Sequence, residues 1–598
     1  MNQGADALDA YWRSQNRKLK QLENHVAQSG SLPAELAHAV DTFQRFDLTA
    51  YEQLTRAQQR LLSNLIDTQG AAGTENTNDP IEQSDPQTIK RLEAQLIPCE
   101  PGLRGENALP QAGILLMLGD EDSYAAALKN YLRSHGLRIK HIRDCLDEDQ
   151  AEAQVAAAAR EGEIVGLVVL GNKHHGYYDY ILTVAAVIKR VVIHIRTHKA
   201  DKKRLFLFNT FMDGRLGTTG KSEAYHYGTL GGMAKCIDIE LYGSVYVKEI
   251  DFEPSMEPDA MIAYLDDELH CHERLIEVGR TADGIRHRLG TVVTKSVVTE
   301  SRCPLTEGDV LLVSGGARGV TAACVLELAK RVKCTFVLMG RGQILDEYND
   351  DEETAKITDP KNMKILIAKR YKAQGYHGPL SAIEQKAKAI LYQRDMLATF
   401  KKLRATGNPV FYYACDVNDR DSMAQTTAKI QKEVGRITGV VHGAGIVGDS
   451  KIWNKSMASF RRVFDTKYQG LNNIMDNVDK DTLKLLVMFS SVSAFFGNDG
   501  QIDYVAGNSC MDKYAYYIRN HYPNCHALAI NWGAWHGGMV NLDALYVDAL
   551  RDKGYVLIPL EVGANYFANE FLMGLPSAQV LFNNTGNPAV TAKEGGFG

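Results

Sequence analysis

Short apolar runs alternate with longer amphipathic stretches along most of the chain. The run GILLML at 113–118 and the run VLLVS at 310–314 are typical, because each is short and is bounded by polar or glycine residues. Apolar strands that are buried on both faces and separated by helices indicate a parallel α/β sheet. The predicted strands cover residues 113–118, 164–170, 204–209, 245–250, 310–314, 335–339, 410–415, 437–442, 485–489 and 526–531.

The alternation of strand and helix restarts near residue 306. This predicts two tandem α/β units at 112–305 and 306–580, followed by a tail at 581–598. Within the second unit, the charged and helical stretch 343–407 is much longer than the ~10–20 residues of an ordinary crossover. It is therefore predicted to be an insertion.

Residues 1–66 are predicted to form a helical segment. Its apolar side chains recur at steps of three and four residues, with a polar Gln15 at one of these positions. Such a seam is typical of a short coiled coil that pairs two chains, and equally of a helix docked on its own domain. Residues 67–111, which begin with a stretch rich in Gly, Asn, Asp and Thr, are predicted to be a linker. The seam residues are Leu8, Trp12, Leu19, Leu22 and Val26.

The composition narrows the functional class. The chain has 598 residues, of which 45% are apolar and 23% charged, and its net charge is −6. These values are those of an ordinary soluble protein with more than one domain, and they give no reason to expect nucleic acid or a membrane as partner. No apolar run approaches the ~20 residues of a membrane helix. The cysteines form no CxxC pair, so a metal site is not expected and the predicted setting is the reducing cytoplasm.

The two units differ in the turn that follows their first strand. The second unit continues with SGGARGVT, in which Gly315, Gly316 and Gly319 let the backbone approach a diphosphate at the start of a helix. Arg318 and Val320 belong to the same turn. The first unit continues with GDEDSYAAA, whose acidic side chains repel phosphate. The second unit is therefore predicted to bind a dinucleotide, and the first is predicted to be cofactor-free.

Residues at the ends of the next strands indicate which dinucleotide is expected. Arg341 follows the second strand of this unit, where an arginine pairs with the 2′-phosphate of NADP and an acid would favour NAD. A loop cation in solvent is the alternative interpretation. Asp416, followed by Val417, ends the third strand, where its carboxylate can accept a hydrogen bond from adenine. The fourth strand runs into a turn of small residues that leaves room for nicotinamide: Gly443, Ala444 and Gly445.

The stretch FSSVSAFFGNDGQIDYVAGN at 489–508 carries the candidate chemistry. Ser491 follows an apolar strand, and Tyr504 lies on a predicted helix. A serine and a tyrosine can hold and protonate a carbonyl oxygen on which charge develops. The commonest short-chain reductase pattern has a lysine four residues after the tyrosine, but Asn508 occupies that position here. Either the site is inactive or its lysine comes from elsewhere in the chain.

These motifs together resemble the ketoreductase domains of polyketide synthases and polyunsaturated fatty acid synthases, within the short-chain dehydrogenase/reductase superfamily. In that family an asparagine follows the tyrosine, and the lysine lies on the preceding helix. The sequence FDTKYQGLNNI is similar to that helix. The resemblance therefore implies that Lys467 acts with Tyr504, Ser491 and Asn508. It covers roughly 112–575, and the stretch YGTLGGMAKCIDIELYGSVYVKEIDF resembles the structural half of such enzymes.

The resemblance also implies features of the substrate site. Asp449, Trp532 and Met539 would lie along the substrate channel. Thr321 stands where the family has the third glycine of its turn, which is tolerated if the backbone φ there is negative. Asp449 is the acid that remains of the family's LDD motif, and it favours a D-configured product.

In terms of architecture, the resemblance implies two tandem Rossmann-like units, one a truncated structural unit and the other a catalytic NADP-binding unit. In terms of function, it implies NADPH-dependent reduction of a 3-oxoacyl thioester to a 3-hydroxyacyl thioester. An acyl carrier protein would hold the substrate, and other synthase domains or a second copy of the chain would be further partners. Two alternatives remain: a catalytically silent dinucleotide-binding scaffold, and a short-chain dehydrogenase that acts on a free ketone or alcohol.

Overall fold

The structure is a computed structural model. It describes residues 89–145, 147–198, 203–271, 273, 275–343, 351–376, 378–536 and 556–584. The predicted helical segment 1–66, the residue Met539 and most of the predicted tail lie outside these ranges. In the part of the chain that is described, no helix is long and apolar enough to span a membrane.

The described strands all belong to one sheet. They are β1 (Ile89–Pro98), β2 (Gly113–Leu118), β3 (Leu137–His141), β4 (Ile164–Gly171), β5 (Leu205–Thr210), β6 (Tyr246–Phe252), β7 (Glu277–Arg280), β8 (Arg286–Thr294), β9 (Val310–Ser314), β10 (Thr335–Gly340), β11 (Val410–Ala414), β12 (Ile437–His442), β13 (Leu485–Ser491), β14 (His526–Trp532) and β15 (Gln579–Asn584). Their order in the sheet is β11-β10-β9-β12-β13-β14-β15-β1-β8-β7-β6-β5-β4-β2-β3.

Helices cover both faces of this sheet. Over the described residues they are α1 (Ser123–Ser134), α2 (Glu148–Glu161), α3 (Tyr177–Thr197), α4 (Gly228–Glu240), α5 (Pro258–Leu269), α6 (Gly319–Ala329), α7 (Glu352–Ala355), α8 (Pro360–Ala373), α9 (Leu380–Arg404), α10 (Arg420–Glu433), α11 (Met457–Met475), α12 (Val492–Phe496), α13 (Ile502–His521) and α14 (Leu560–Leu572). A short 3-10 helix, Glu223–Tyr227, precedes α4.

Each predicted unit forms one half of the sheet. In the C-terminal half, the strands from β11 through β9 and β12 to β15 pair in parallel throughout. In the N-terminal half, β3, β2, β4, β5, β6 and β7 also pair in parallel. The prediction of an α/β fold with two tandem Rossmann-like units is therefore confirmed.

Strand β1 joins the two halves into a continuous sheet. It pairs antiparallel with β15 on one side and with β8 on the other. The prediction that 67–111 is a linker throughout is therefore wrong at Ile89–Pro98. Charged residues hid this strand in the sequence. One of them, Arg91, is buried because its guanidinium Nε donates to the Glu570 carboxylate at 2.6 Å.

The structure also contains strands that the hydrophobic pattern did not predict: β3, β7, β8 and β15. Strand β15 pairs in parallel with β14 and ends at Asn584. The predicted boundary between the second unit and its tail, at residue 581, therefore falls inside a buried strand and is wrong. The reason is that QVLFNN is short and ends in polar residues, although all its residues are buried.

The C-terminal half has an apolar layer on each face of the sheet. On one face, α6, α9 and α14 contribute Leu328, Leu403 and Phe571 to a single core cluster. On the other face, α10, α11 and α13 contribute residues such as Ile430 and Ile518. Full burial of each such side chain contributes about 1.5–3 kcal/mol. The strands between these two layers are therefore fixed by packing on both faces.

Within the predicted insertion at 343–407, the described residues include the helices α7, α8 and α9. Met363 and Ile367 of α8 pack against Ala387 and Ile390 of α9. The far end of α9 enters the main core through Leu403. Helix α9 is thus also the crossover between β10 and β11, so the inserted hairpin is anchored to the sheet at one end.

The N-terminal half supports the helix that carries Tyr504. Helix α4 packs along α13, and its glycines allow a close approach. A Cβ on Gly232 would lie 2.6 Å from Ser509 Oγ, and a Cβ on Gly228 would lie 2.5 Å from Lys513 Cγ. The N-terminal half therefore has a structural role at the candidate site, because α4 packs against the outer side of α13.

Candidate active site

The candidate residues lie at the carboxyl ends of β9, β12 and β13. This edge is where open parallel sheets bind ligands. Gly315 follows β9, and Ala444 follows β12. A Cβ on Gly315 would lie only 3.0 Å from the Ala444 nitrogen, so the two turns are in direct contact. The predicted glycine turn and the predicted nicotinamide turn thus border one site.

The glycine-rich turn fits the diphosphate of a dinucleotide. Gly315 has φ +71°, a conformation that favours glycine. A Cβ on Gly319 would meet nothing within 4 Å, so open space lies beside the first residue of α6. Arg318 precedes that helix and makes no side-chain capping bond. The first amides of α6 therefore have no side-chain cap and can bind an anion.

The corresponding helix of the N-terminal half is capped by its own side chain. Asp122 Oδ1 accepts from the Ala125 nitrogen at 2.7 Å, and Asp122 Oδ2 accepts from Asn172 Nδ2 at 2.6 Å. A phosphate at this helix would meet a carboxylate rather than free amides. This contrast is the physical basis for expecting a dinucleotide only in the C-terminal half.

The other predicted nucleotide-site residues lie around the same edge. Arg341 is exposed directly after β10. Asp416 lies after β11, and its Oδ1 accepts from the Asn418 nitrogen at 3.1 Å. The Val417 carbonyl accepts from Asn473 Nδ2 at 2.8 Å, so that turn is fixed to α11.

Three further residues complete the turns. Val320 is half-buried in α6 and packs against the core cluster below it. Thr321 lies inside α6 and outside the left-handed region, so its Cβ is accommodated as expected. Its side chain contacts the next turn, because a Cβ on Gly443 would lie 2.5 Å from Thr321 Cγ2.

Ser491, Tyr504 and Asn508 come together where β13 meets α13. All three side chains are buried. Burial raises the pKa of the Tyr504 phenol, while hydrogen bonding from the side chains of Ser491 and Asn508 lowers it. Ser491 Oγ also accepts from the Ser493 nitrogen at 3.2 Å and caps α12. Asn508 Nδ2 donates to the Tyr504 carbonyl at 2.8 Å.

Lys467 of α11 is buried beside the elements that carry these residues. Its side chain is only 2% exposed, and Nζ donates to the Phe489 carbonyl at 2.6 Å. A Cβ on Gly445 would lie 3.1 Å from that Nζ, and a Cβ on Gly507 would lie 3.0 Å from Lys467 Cβ. The stem of Lys467 therefore packs against the helix that carries Tyr504, and its amine is enclosed by the turn after β12 and the end of β13.

Burial changes the charge state of this amine. It lowers the pKa of Lys467 to about 7, and the negative charge of Asp512 raises it in part. A lysine that titrates near neutrality can take part in proton transfer, whereas an exposed lysine with a pKa near 10.4 stays charged. The buried position therefore distinguishes Lys467 from an ordinary surface lysine.

A buried polar network lies behind the site, and it was not predicted from the sequence. Asn531 Nδ2 lies 2.9 Å from Asp512 Oδ2, 3.1 Å from Ser490 Oγ and 2.9 Å from the Ser491 carbonyl. Asp512 follows Tyr504 and Asn508 at successive helical turns of α13. This spacing places all three on one helix face, and it is the signal that would have revealed Asp512.

Two of the predicted channel residues, Asp449 and Trp532, lie in different surroundings. Asp449 Oδ1 accepts from Gln501 Nε2 at 3.0 Å, and its charge acts to raise the pKa of Tyr504. Trp532 is 5% exposed, and its ring stacks on Phe582 with centroids 4.9 Å apart. That Trp532 lines a channel stays a prediction, since Trp532 pairs in register with Ser491 at the end of β13. Side chains alternate along β14, so Asn531 faces α13 and Trp532 faces the opposite core.

Gly507→Ala is expected to destabilise the fold. In a helix interior this change usually stabilises by up to about 1 kcal/mol. Here the added Cβ would lie 3.0 Å from Lys467 Cβ and 3.5 Å from the Phe464 carbonyl, so overpacking of about 1–3 kcal/mol should reverse the sign. Urea unfolding of the variant and the parent measures this. A midpoint at or above that of the parent would contradict close packing of α11 on α13.

Comparisons with known proteins agree with this architecture. Residues 309–537 match the family model described as the KR domain. One polyunsaturated fatty acid synthase polypeptide of a Thraustochytrium species is 27% identical over 472 residues, which are 76% of this chain and 16% of that protein. The polyketide synthase PksM of Bacillus subtilis is 30% identical over 312 residues, which are 50% of this chain and 7% of that protein. The chain thus spans a small part of these relatives.

Solved structures show the same fold. A ketoreductase domain from the bacillaene assembly line aligns with a TM-score of 0.59 and 19% identity, over 85% of this chain and 100% of that one. An N-terminal ketoreductase from the macrolactin assembly line aligns with a TM-score of 0.62 and 16% identity, over 96% and 99% of the two chains. Residues 309–537 therefore match the KR domain family model, and the fold of the chain is that of the ketoreductase domains of polyketide synthases.

Proposed function

We propose that this chain reduces a 3-oxoacyl thioester to a 3-hydroxyacyl thioester with NADPH. The single observation that carries the proposal is the enclosed amine of Lys467. The Cβ of the same lysine packs against Gly507 on the helix that bears Tyr504, and in this proposal the amine supplies the cation that position 508 lacks. A silent scaffold has no need to bury a lysine at this point, where burial disfavours its charge.

The residues of the pocket have separate roles in the proposed reaction. Tyr504 donates a proton to the carbonyl oxygen of the substrate, and Ser491 donates a hydrogen bond to the same oxygen. Lys467, as an ammonium, favours the phenolate that Tyr504 becomes. Asn508 Oδ1 is buried without a hydrogen-bond partner in the described part of the chain, so it can orient a water or the amine. When bound, NADPH supplies the hydride.

The turns at the carboxyl edge would hold the cofactor. Backbone amides from Gly315 to Val320 would bind the diphosphate, and the small side chains from Gly443 to Gly445 would leave space for nicotinamide. Arg341 would pair with the 2′-phosphate, and Asp416 would accept from adenine. The open space beside Gly319 and the uncapped start of α6 support this arrangement.

The proposed substrate is delivered by an acyl carrier protein. The relatives that the chain matches are synthases of which it spans 16% and 7%, which supports other synthase domains as partners in polyketide or polyunsaturated fatty acid synthesis. Asp449 lies near Tyr504 and supports a D-configured hydroxyl in the product. The N-terminal seam supports pairing with a second copy.

The assay that tests this function follows NADPH oxidation with an acetoacetyl thioester and with a longer 3-oxoacyl thioester. One 3-hydroxyacyl thioester should form for each NADPH consumed. A free ketone of similar size serves as the control substrate. Oxidation of NADPH by the ketone alone would favour a general short-chain dehydrogenase. Tight NADPH binding without turnover of any substrate would favour the silent scaffold.

The rate of reduction should fall as the pH rises through neutrality. Burial lowers the pKa of Lys467 to about 7, and an ammonium is present below its pKa and lost above it. The value of kcat should therefore decline above pH 7. Asp512→Asn removes the charge that raises the pKa of Lys467, so its decline should begin at lower pH. Identical pH profiles for the parent and this variant would contradict the role of the ammonium.

A further inference from the structure

The insertion lies over the turn that would bind the nucleotide. The Arg318 guanidinium stacks on the ring of Tyr392 in α9, with Cζ 3.8 Å from the ring centroid. Arg318 stands immediately before α6, at the open end of the glycine-rich turn. An aromatic face attracts a guanidinium and limits the directions in which it points. Tyr392 therefore holds the Arg318 guanidinium beside the glycine-rich turn.

The same part of α9 holds the loop that carries the second arginine. Gln393 Nε2 donates to the carbonyl of Gln343, and a Cβ on Gly342 would lie 4.0 Å from Met396 Sδ. Gly342 and Gln343 directly follow Arg341 at the end of β10. Residues of about one helical turn of α9 therefore contact both arginine-bearing loops.

The charges at this place suit a phosphate monoester. Arg318 and Arg341 are both exposed, and planar guanidinium groups held in a fixed direction bind phosphate well. Asp395 is the acid of the same helical turn. Burial raises the pKa of its carboxyl, while Arg318 and Arg394 lower it. The charge of Arg318 thus acts on a carboxyl group of α9.

We propose that the insertion completes the recognition site for the 2′-phosphate of NADPH, with Tyr392 as the residue that positions Arg318. This inference rests on the NADPH-dependent function proposed above. It assigns the insertion a role in selecting the coenzyme, in addition to its structural role as a crossover. Because stacking uses the face of the ring, phenylalanine at position 392 should serve as well as tyrosine.

Calorimetric titration of the full chain tests the inference with two probes that differ by one phosphate, adenosine 2′,5′-bisphosphate and AMP. Tyr392→Leu removes the ring and keeps an apolar side chain. It should weaken binding of the bisphosphate by about threefold to tenfold and leave AMP binding unchanged. Tyr392→Phe should bind both probes as the parent does. The matched control is Tyr376→Leu, since Tyr376 packs on Tyr371 near the turn that precedes α9.

Three other results of the titration would contradict the inference, each for a different reason. If the parent prefers the bisphosphate and Tyr392→Leu binds it equally well, the insertion does not position Arg318. If Tyr392→Leu loses affinity for both probes alike, the role of Tyr392 is structural and the inference is overturned. If the parent itself does not distinguish the two probes, the assignment of NADPH in the proposed function fails, and the inference fails with it.

Discussion

Tyr504→Phe is expected to lower kcat for 3-oxoacyl thioester reduction by about 10²- to 10⁴-fold, which is the usual contribution of a positioned general acid. The ring fills the same volume, and only the hydroxyl that Ser491 and Asn508 contact is lost. Affinity for NADPH should stay within about twofold of the parent value, because the nucleotide turns lie on other elements. Steady-state kinetics and calorimetric titration measure the two quantities.

Tyr514→Phe is the matched control for this substitution. Tyr514 lies on the same helix, is also buried, and packs among the apolar residues behind the site. Loss of its hydroxyl should leave kcat near the parent value. Parental turnover by Tyr504→Phe, or an equal loss in both variants, would show that Tyr504 is not the proton donor.

Lys467→Met is expected to reduce kcat by at least about 10²-fold. Methionine fills nearly the same space between Gly445 and Gly507 but carries no proton and no charge. The hydrogen bond from Nζ to the Phe489 carbonyl is lost. Without the ammonium, the phenol of Tyr504 keeps the raised pKa that burial gives it, so proton transfer becomes harder. Single-turnover oxidation of NADPH measures the chemical step directly.

The fold of the variant must be checked separately. Circular dichroism and a urea midpoint near that of the parent would show that Lys467→Met is folded, and NADPH titration would show that the cofactor site is intact. A folded variant that binds NADPH and retains the parental single-turnover rate would contradict the role assigned to Lys467. The silent-scaffold alternative would then gain support.

The apolar strands at the centre of each half were predictable because their signal is local. In a strand that is buried on both faces, nearly every residue must be apolar, as in VLLVS of β9. Strand β1 escaped notice for the opposite reason. Its sequence IKRLEAQLIP includes a buried Arg91, which is neutralised by Glu570 far along the chain. A pairing of that kind has no signature in either segment alone.

The candidate site also combines residues with a local sequence signal and residues that only tertiary packing brings together. The glycine turn, Ser491 and Tyr504 lie within short motifs whose spacing carries the information. Lys467 was inferred only through the family resemblance, because its helix reaches the pocket through tertiary packing against Gly507. The position of Trp532 in the chain did not reveal which face of β14 it occupies. Tyr392 was not singled out, since its partner Arg318 lies in a separate element.

The most direct test of the central claim moves the lysine from one helix to the other. The single variants Lys467→Asn and Asn508→Lys, and the double variant that combines them, are compared by single-turnover reduction of a 3-oxoacyl thioester. Lys467→Asn alone should lose most activity. The double variant should recover at least about tenfold over Lys467→Asn, because an ammonium one turn after Tyr504 again reaches the phenol. A folded, NADPH-binding double variant no faster than Lys467→Asn would contradict the claim that this pocket works through a lysine beside Tyr504.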